Sequence, residues 1–470
     1  FDKECITNRD RMFDCPQNLR EEEMFEVPEW AANKVVYQIF PSRFAATEPV
    51  DKELWYKAPI TPMDDLHGNL RGIIEHMDDI QNLGIDVLYM TPIFQSNSCH
   101  KYDTTDYYQI DPSFGTTEDL KELVQKAHER GMKVVLDAVY NHTGREFFAF
   151  ADILENGEKS KYRDWYFIDG FPLKSEWGEI PNFKCFGYYG GMPKLNLKNP
   201  EVEKYITDVA CYWIKECDID GWRLDVGDEI SHFFWKNFRK AVKAVKKDML
   251  IIGEIWHYAG DFLEGDEWDT VMNYPFYLNL IDLLADEKIT VSQFVQNLGY
   301  LKGRLNKNCY PLMWNLIDSH DTARFLHLCN DNKKKQHLAA AFQLLLPGMP
   351  MIYYGDEYAM PGANDPDCRR GMYWDEEYQD KEMYEWYKRL IQVRKSHACI
   401  VEGELAGSVT EDEEGTVVLI RKNGEETIAM IFNCSSSAKK FNEYTQKYNL
   451  LTENTFDGNV EGFDAAVIVL

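Results

Sequence analysis

The chain has 470 residues and contains 51 Lys and Arg against 79 Asp and Glu, which gives a formal net charge of −28 at pH 7. This excess of acid argues against a nucleic-acid partner, because a negative surface repels the phosphate backbone. No apolar run reaches the roughly 18 residues that a membrane helix needs, so we expect no membrane partner either. The length is sufficient for one large barrel and a smaller appended domain.

Short apolar runs alternate with amphipathic segments of helical period between about residues 33 and 400. This alternation predicts repeated βα units, and eight of them predict a (β/α)8 TIM barrel, an α/β fold. The eight predicted strands are 35–40, 85–90, 133–139, 220–226, 249–255, 270–276, 313–318 and 349–355. Two helices are clear from their end signals: 117–131 ends at a Gly, and the other begins at Asn199 and Pro200 and runs to about Cys217.

Two stretches break this rhythm. About fifty residues between the third strand and Asn199 are rich in aromatic residues and Gly, and a loop of that length predicts a small subdomain. Beyond Ser396, strand-like runs at 416–422, 427–433 and 465–470 predict an all-β C-terminal domain. We therefore divide the chain into a lead segment (1–32), a catalytic barrel (33–144 and 196–398), an inserted subdomain (145–195) and a C-terminal β-sandwich (399–470).

Three of the predicted strands end in acids. The runs 221–225, 251–255 and 315–321 are interpreted as buried strands that carry Asp225, Glu254 and Asp321 at or near their ends. Because parallel strands of a barrel end at one rim, we expect these three carboxyl groups to converge there. Like charges that lie so close cost stability unless the chemistry uses them, so the pattern favours a catalytic site.

The spacing of cysteine and histidine residues indicates the cellular compartment and tests for a transition-metal site. The eleven cysteines are scattered without a C-x-x-C pair, which in a chain with a large core is typical of free thiols in a reducing compartment. We therefore expect a cytoplasmic location. The eleven His show no H-E-x-x-H or similar spacing, so no transition metal is expected.

Four segments resemble the α-amylase family of glycoside hydrolases: DAVYNH (137–142), GWRLDVGDE (221–229), GEIWH (253–257) and NLIDSHD (315–321). Three more, HKYDTTDY (100–107), MPKLN (192–196) and DPDCRR (365–370), resemble its neopullulanase, cyclomaltodextrinase and maltogenic amylase branch. The resemblance implies a retaining glycosidase that cleaves α-1,4-glucosidic bonds of maltooligosaccharides, cyclodextrins or pullulan. A transglycosylase, an ordinary starch-degrading α-amylase and a non-catalytic carbohydrate-binding protein of the same fold remain alternatives.

The resemblance assigns a role to each of the three acids. Asp225 is implied to be the nucleophile, which must stay ionised, and the charge of Arg223 favours that state. Glu254 is implied to protonate the leaving oxygen and then to activate water, which needs a pKa raised towards neutrality. Asp321 is implied to hold sugar hydroxyls and help distort the ring. The alternative is that these acids are only buried partners of Arg223, which leaves their place at three strand ends unexplained.

The resemblance also implies a set of substrate-binding residues: Tyr102, His142, Arg223, Trp256, His257, His320, Asp365 and Arg369. Tyr102 is implied to stack on the cleaved sugar. The two strand-end histidines, at 142 and 320, are implied to bind the hydroxyls of that sugar. The residues at 256–257 are implied to lie on the leaving-group side, and the pair at 365 and 369 on the non-reducing side. From the residues alone, His142 could instead be a core histidine and Trp256 a core aromatic.

Departures from the family pattern concern metal and assembly. The family's common calcium site uses the Asn of the first segment, here Asn141, and a His after the nucleophile, where this chain has Glu229. A second calcium loop of the branch is poor in oxygen ligands here, at 43–55 and 67–69, so no cofactor is expected to be required and calcium is not supported. The branch usually has an N-terminal β-sandwich that helps form dimers. The lead segment is interpreted as a remnant of it, which leaves a homodimer open.

Overall fold

The computed structural model describes residues 26–174 and 180–470, so the first 25 residues of the predicted lead segment lie outside the described part. The first ten strands of that part are β1 (Val36–Ile39), β2 (Val87–Met90), β3 (Phe94–Ser96), β4 (Thr104–Ile110), β5 (Lys133–Ala138), β6 (Gly221–Leu224), β7 (Leu250–Gly253), β8 (Thr270–Val271), β9 (Trp314–Asn315) and β10 (Met349–Tyr353). Eight of them form a parallel sheet in the order β8, β7, β6, β5, β2, β1, β10, β9. A parallel bridge between Met272 and Trp314 joins its two ends, so the predicted barrel is confirmed.

The α-helices within the described ranges surround this barrel and extend beyond it. They are α1 (Pro41–Phe44), α2 (Lys52–Trp55), α3 (Leu70–Glu75), α4 (Met77–Leu83), α5 (Thr117–Glu129), α6 (Phe148–Asn156), α7 (Pro200–Cys217), α8 (His232–Val245), α9 (Tyr274–Leu280), α10 (Val291–Arg304), α11 (Phe325–Leu328), α12 (Lys333–Leu345), α13 (Lys381–Ser396) and α14 (Cys399–Glu402). Helix α7 begins as its sequence predicts, because the Asn199 side chain accepts a hydrogen bond from the Glu201 N–H at 2.9 Å. Helix α5 has a reciprocal capping box between Thr116 and Asp119.

The predicted strand at 270–276 is wrong beyond residue 271. The chain turns after β8, and the Asn273 side chain accepts a hydrogen bond from the Phe276 N–H at 3.2 Å, which caps α9. Pro275 lies in the first turn of that helix, where its missing N–H has no cost. The helix start signal therefore outweighs the apolar run that predicted a longer strand.

Two segments build the rim above the carboxyl ends of the strands. Strands β3 and β4 form an antiparallel hairpin whose connecting loop carries Tyr102. The inserted segment after β5 carries α6 and a small aromatic cluster, in which the ring of Phe150 lies 5.0 Å from that of Tyr166 and 5.2 Å from that of Phe183. These contacts give the insert a core of its own beside the rim.

The C-terminal part is an all-β unit, as expected. Its strands are β11 (Glu404–Glu411), β12 (Thr416–Asn423), β13 (Glu426–Asn433), β14 (Lys439–Lys440), β15 (Tyr448–Asn449), β16 (Asn454–Thr455), β17 (Asn459–Val460) and β18 (Asp464–Val469). Six of them form an antiparallel sheet in the order β11, β12, β13, β18, β15, β16, and β14 pairs with β17. The sheet packs on the barrel through Phe342 of α12, whose ring stacks on that of Phe432 at 4.2 Å.

Candidate active site

Two carboxyl groups lie side by side at the ends of neighbouring strands. Asp225 follows β6 directly, and Glu254 follows β7. The Asp225 N–H donates to the Ala138 carbonyl at 3.1 Å and the Glu254 N–H to the Leu224 carbonyl at 3.0 Å, so the parallel ladder continues one residue past each strand. This continued register fixes both backbones and brings the two acids to the same rim.

A single buried guanidinium joins the acids. Nη1 of Arg223 lies 3.0 Å from Oδ1 of Asp225 and 3.0 Å from Oδ1 of Asp137, and Nη2 lies 2.9 Å from Oε2 of Glu254. Oδ2 of Asp321 is 4.0 Å from Nη2. The buried ion pairs that the sequence left as an alternative are therefore present, yet this one guanidinium faces four carboxyl groups, and Arg369 adds a second positive charge at Asp321 alone. Keeping all four ionised away from water has a large cost.

Burial raises the pKa of Asp225, Glu254 and Asp321 above their ordinary values, and the charge of Arg223 opposes that rise. The same two effects leave the pKa of Asp137 at about 6. Acids this close titrate together, so their protonation belongs to the cluster and not to any one of them. A proton on Glu254 with Asp225 ionised is the distribution that an acid and a nucleophile acting together require.

The third acid, Asp321, is held by its neighbour His320 and by Arg369 of a distant segment. Its Oδ2 lies 3.1 Å from Nε2 of His320, and its Oδ1 lies 3.4 Å from Nη2 of Arg369. On the other side of the imidazole, Nε2 of Gln38 lies 2.7 Å from Nδ1 of His320. Burial lowers the pKa of His320, so the ring is neutral. With Nδ1 accepting from the Gln38 amide, the ring proton lies on Nε2, facing the Tyr102 hydroxyl at 2.5 Å and, farther away, Asp321.

Tyr102 and His142 are fixed against each other. The Tyr102 hydroxyl lies 3.0 Å from Oδ2 of Asp137 and 2.5 Å from Nε2 of His320. Nε2 of His142 lies 3.1 Å from the Tyr102 carbonyl, and the Asn141 amide lies 3.3 Å from its Nδ1. Burial lowers the pKa of His142 to about 4, so it is neutral. Both ring nitrogens of His142 have protein partners, so His142 positions Tyr102. The sugar contacts predicted for His142 and Tyr102 stay predictions.

Trp256 and His257 lie on the open side of Glu254. The Trp256 side chain is 42% exposed, stacks on the ring of Tyr274 at 3.9 Å and donates from Nε1 to Oε1 of Glu254 at 3.2 Å. His257 is more exposed, and its Nε2 lies 3.2 Å from Oδ2 of Asp228. Trp256 is therefore a half-open platform in contact with the proton donor, and not part of the core.

Asp365 and Arg369 form an ion pair on the opposite side. Nη1 of Arg369 lies 2.8 Å from Oδ1 of Asp365, and its Nε donates to the His320 carbonyl at 2.8 Å. Together with its contact to Asp321, this makes Arg369 a link between the third acid and the partly exposed Asp365. The structure thus brings all eleven predicted site residues to one rim.

Two contributors to this site were not predicted from the sequence, Gln38 and Tyr274, whereas Asp137 opens the first of the four family-like segments. Gln38 and Asp137 carry a signal, since each is a polar residue within an apolar buried strand. Tyr274 carries none, because its run resembles a strand and its ring meets Trp256 only after the chain has turned into α9.

The residues that the resemblance implies for calcium do not fit that ion. Oδ1 of Asn141 and Oε2 of Glu229 both contact the Lys194 ammonium, the latter at 3.0 Å, so a cationic side chain already lies between these oxygens. Within the described residues no group of three or more His, Cys, Asp or Glu side chains is arranged to hold a metal.

Comparisons with known proteins agree with this geometry. The family model for the catalytic domain of alpha amylase matches residues 38–403. A cyclomaltodextrinase of Geobacillus thermopakistaniensis (strain MAS1) is 46% identical over 428 residues, which cover 90% of this chain and 72% of that protein. An intracellular maltogenic amylase of Bacillus subtilis is 41% identical over 420 residues, which cover 88% of this chain and 71% of that protein.

Similarity extends to solved structures. A cyclomaltodextrinase structure superposes with a TM-score of 0.90 at 38% sequence identity, covering 95% of this chain and 79% of that chain.

Proposed function

The chain belongs to the α-amylase family of glycosidases, and we propose that it hydrolyses α-1,4-glucosidic bonds in cyclodextrins and short maltooligosaccharides with retention at the anomeric carbon. The observation that carries the proposal is the pairing of Asp225 and Glu254 about one guanidinium. Oδ1 of Asp225 is held by Arg223, whereas Oδ2 is buried without a hydrogen-bond partner among the described residues. A carboxylate oxygen that is fixed in place but not engaged suits a nucleophile.

The geometry supports a division of labour between the two acids. Oδ2 of Asp225 attacks the anomeric carbon while Glu254 gives its proton to the leaving oxygen, and a covalent glycosyl ester forms. Glu254, now ionised, takes a proton from water, which attacks the ester and releases Asp225. The Val226 N–H at 2.9 Å from Oε2 and the Trp256 indole hold the Glu254 carboxyl in one orientation through both steps.

The substrate class follows from the branch. The relatives described above include a cyclomaltodextrinase and a maltogenic amylase. Trp256 with Tyr274 beneath it offers an aromatic face on one side of the acids, and Asp365 with Arg369 offers charged hydrogen-bonding groups on the other. Sugar rings are bound by such a combination of aromatic faces and hydroxyl partners.

The enzyme should cleave cyclodextrin or maltotriose at least as well as soluble starch, measured as kcat/KM from released reducing ends. The reason is that contacts beside the cleaved bond set the energy of the transition state, and those residues match the branch. The Asp225→Asn variant is the control for background hydrolysis. Starch cleavage more than about tenfold better than cyclodextrin cleavage would identify an ordinary α-amylase instead.

Further properties are proposed on the same footing. The mechanism needs no cofactor, because each step uses carboxyl groups of the chain and water.

A cytoplasmic location is supported by the nine cysteines of the described residues, all of which are free, and by the intracellular relative. Among the described residues, no helix combines the length and apolar character needed to cross a bilayer. The partner that we propose is the α-glucan substrate. Light scattering, which measures the mass of the particle in solution, tests for a homodimer.

A further inference from the structure

Lys194 reaches from the insert to the rim of the barrel beside the nucleophile. Its ammonium contacts Oδ1 of Asn141, and it lies 3.0 Å from the backbone carbonyl of Glu229 and 3.0 Å from Oε2 of the same residue. The Lys194 side chain is 18% exposed. Three oxygens from two separate loops therefore converge on one mostly buried positive charge.

The backbone on either side of Lys194 is paired with the barrel. The Leu195 N–H donates to the Asn141 carbonyl at 3.0 Å, and the Thr143 N–H donates to the Pro193 carbonyl at 3.1 Å. This pairing fixes where the lysine stem begins. A segment fixed by backbone hydrogen bonds therefore holds the ammonium against the three oxygens. An exposed surface lysine, by contrast, loses side-chain entropy to hold such contacts.

The turn that Lys194 holds is strained and adjoins the catalytic acids. Val226 follows Asp225 and has φ 47° and ψ 45°, a left-handed conformation that is unfavourable for a β-branched residue. Its N–H nevertheless donates to Oε2 of Glu254 at 2.9 Å. Glu229 closes the turn, since its N–H donates to the Val226 carbonyl at 3.1 Å. A contact that anchors Glu229 therefore helps to keep the Val226 N–H directed at the proton donor.

We propose that the Lys194 ammonium is a built-in replacement for a metal ion, which joins the insert to the barrel and positions the 226–229 turn beside Asp225 and Glu254. Carboxylate, carbonyl and amide oxygens are the donors that hard cations prefer, and here all three kinds face one ammonium. A divalent ion at the same place would meet that positive charge at contact distance, so the lysine excludes it. Lys194 is a positioning residue, because it acts through the turn and does not touch the reacting atoms.

The wild-type protein should ignore calcium. Because the lysine charge already fills the site, we expect a chelator to leave both the melting temperature and the rate of cyclodextrin cleavage unchanged, and added calcium to have no effect. Thermal melts with chelator, with millimolar calcium and with neither measure this. A fall in melting temperature with chelator that calcium reverses would show that a metal is held, which would overturn the proposal.

Removing the charge should create a dependence on added cations. In Lys194→Met the stem remains but the ammonium between the three oxygens is lost, and only Oε2 of Glu229 keeps another donor there, the Asn141 amide at 3.3 Å. We therefore expect the melting temperature to fall by several degrees. Millimolar calcium should restore most of the loss because it supplies the missing positive charge. Methylammonium needs the space of the lysine stem, so it is tested on Lys194→Ala, where it should restore part of the loss. Lys204→Met, which removes an exposed lysine paired with Asp208, is the matched control and should not respond to either cation.

The effect of Lys194→Met on the pH profile of kcat distinguishes a positioning role of the lysine from a purely stabilising one. This measurement rests on the proposed function, whereas the thermal melts do not. An N–H that donates to a carboxylate lowers the pKa of that group. If the Val226 N–H turns away in Lys194→Met, the pKa of Glu254 rises, and the basic limb of the kcat profile moves to higher pH while calcium moves it back. Unchanged stability, a loss of stability that neither cation reverses, or an unmoved basic limb would each overturn the proposal.

Folding of the variant is itself informative. If Lys194→Met does not fold alone, it is refolded with and without calcium. Recovery of folded protein only with the cation supports the proposal, and equal failure in both overturns it.

Discussion

Asp225→Asn and Glu254→Gln will each lower kcat on cyclodextrin by at least about a thousandfold, because nucleophile and proton donor act as one unit. The amide of Asp225→Asn cannot form the glycosyl ester, and that of Glu254→Gln has no acidic proton to give. Both amides match the shape of the acids they replace, so folding should survive. Steady-state release of reducing ends measures the loss.

Stability separates this chemical loss from misfolding. Burial raises the pKa of Asp225, so its ionisation at neutral pH costs the folded state free energy, and Asp225→Asn removes that cost. We therefore expect its melting temperature to equal or exceed that of the wild type. Asp269→Asn is the control: this buried acid pairs with Arg239 and Lys243 away from the site, so its loss should lower stability but not kcat. A tenth or more of the wild-type rate in either active-site variant would contradict the assignment of that residue.

Arg223→Met will lower kcat/KM by at least about a hundredfold and shift the acid limb of its pH profile upwards. Arg223 is the opposing charge that keeps the raised pKa of Asp225 and of Asp137 from rising further. Without it the nucleophile takes up a proton at higher pH, and activity is lost earlier as the pH falls. Rates measured between pH 5 and pH 8 report this shift.

Arg223→Met should lose more stability, relative to the wild type, at high pH than at low pH. At high pH the variant leaves buried carboxylates without a counterion, whereas at low pH they can be protonated, so the melting temperature should fall more at pH 8 than at pH 5. Arg223→Lys keeps the charge but contacts fewer oxygens. Its melting temperature should therefore lie between those of the wild type and Arg223→Met. An acid limb that stays in place in Arg223→Met would show that another group sets the charge of Asp225.

Much of the fold could be predicted, because strands buried on both faces leave apolar runs of recognisable length. The exceptions have local causes. The run at 270–276 contains both an apolar pattern and a helix cap, and only the fold decides that Asn273 begins a helix. Strand β11 was not predicted, because it alternates between exposed and half-buried residues and has no apolar run.

Asp225 and Glu254 could be predicted because each directly follows an apolar strand and the barrel brings those ends together. Asp321 lies beyond the end of β9 at Asn315, so its place rested on the family-like segment 315–321. The contacts that orient them could not, since they join segments far apart in the sequence. Gln38 meets His320 across the barrel, and Lys194 meets Glu229 only because the insert folds back over the rim. The closed environment of His142 likewise depends on the loop that carries Tyr102.

The anomeric configuration of the first reducing ends released from cyclodextrin tests the proposed mechanism most directly. Proton NMR during the first minutes of cleavage distinguishes the α from the β anomer before they interconvert. Two displacements at the same carbon, first by Asp225 and then by water, predict that the α anomer appears first. Release of the β anomer first would mean that water attacks directly and that Asp225 forms no covalent intermediate.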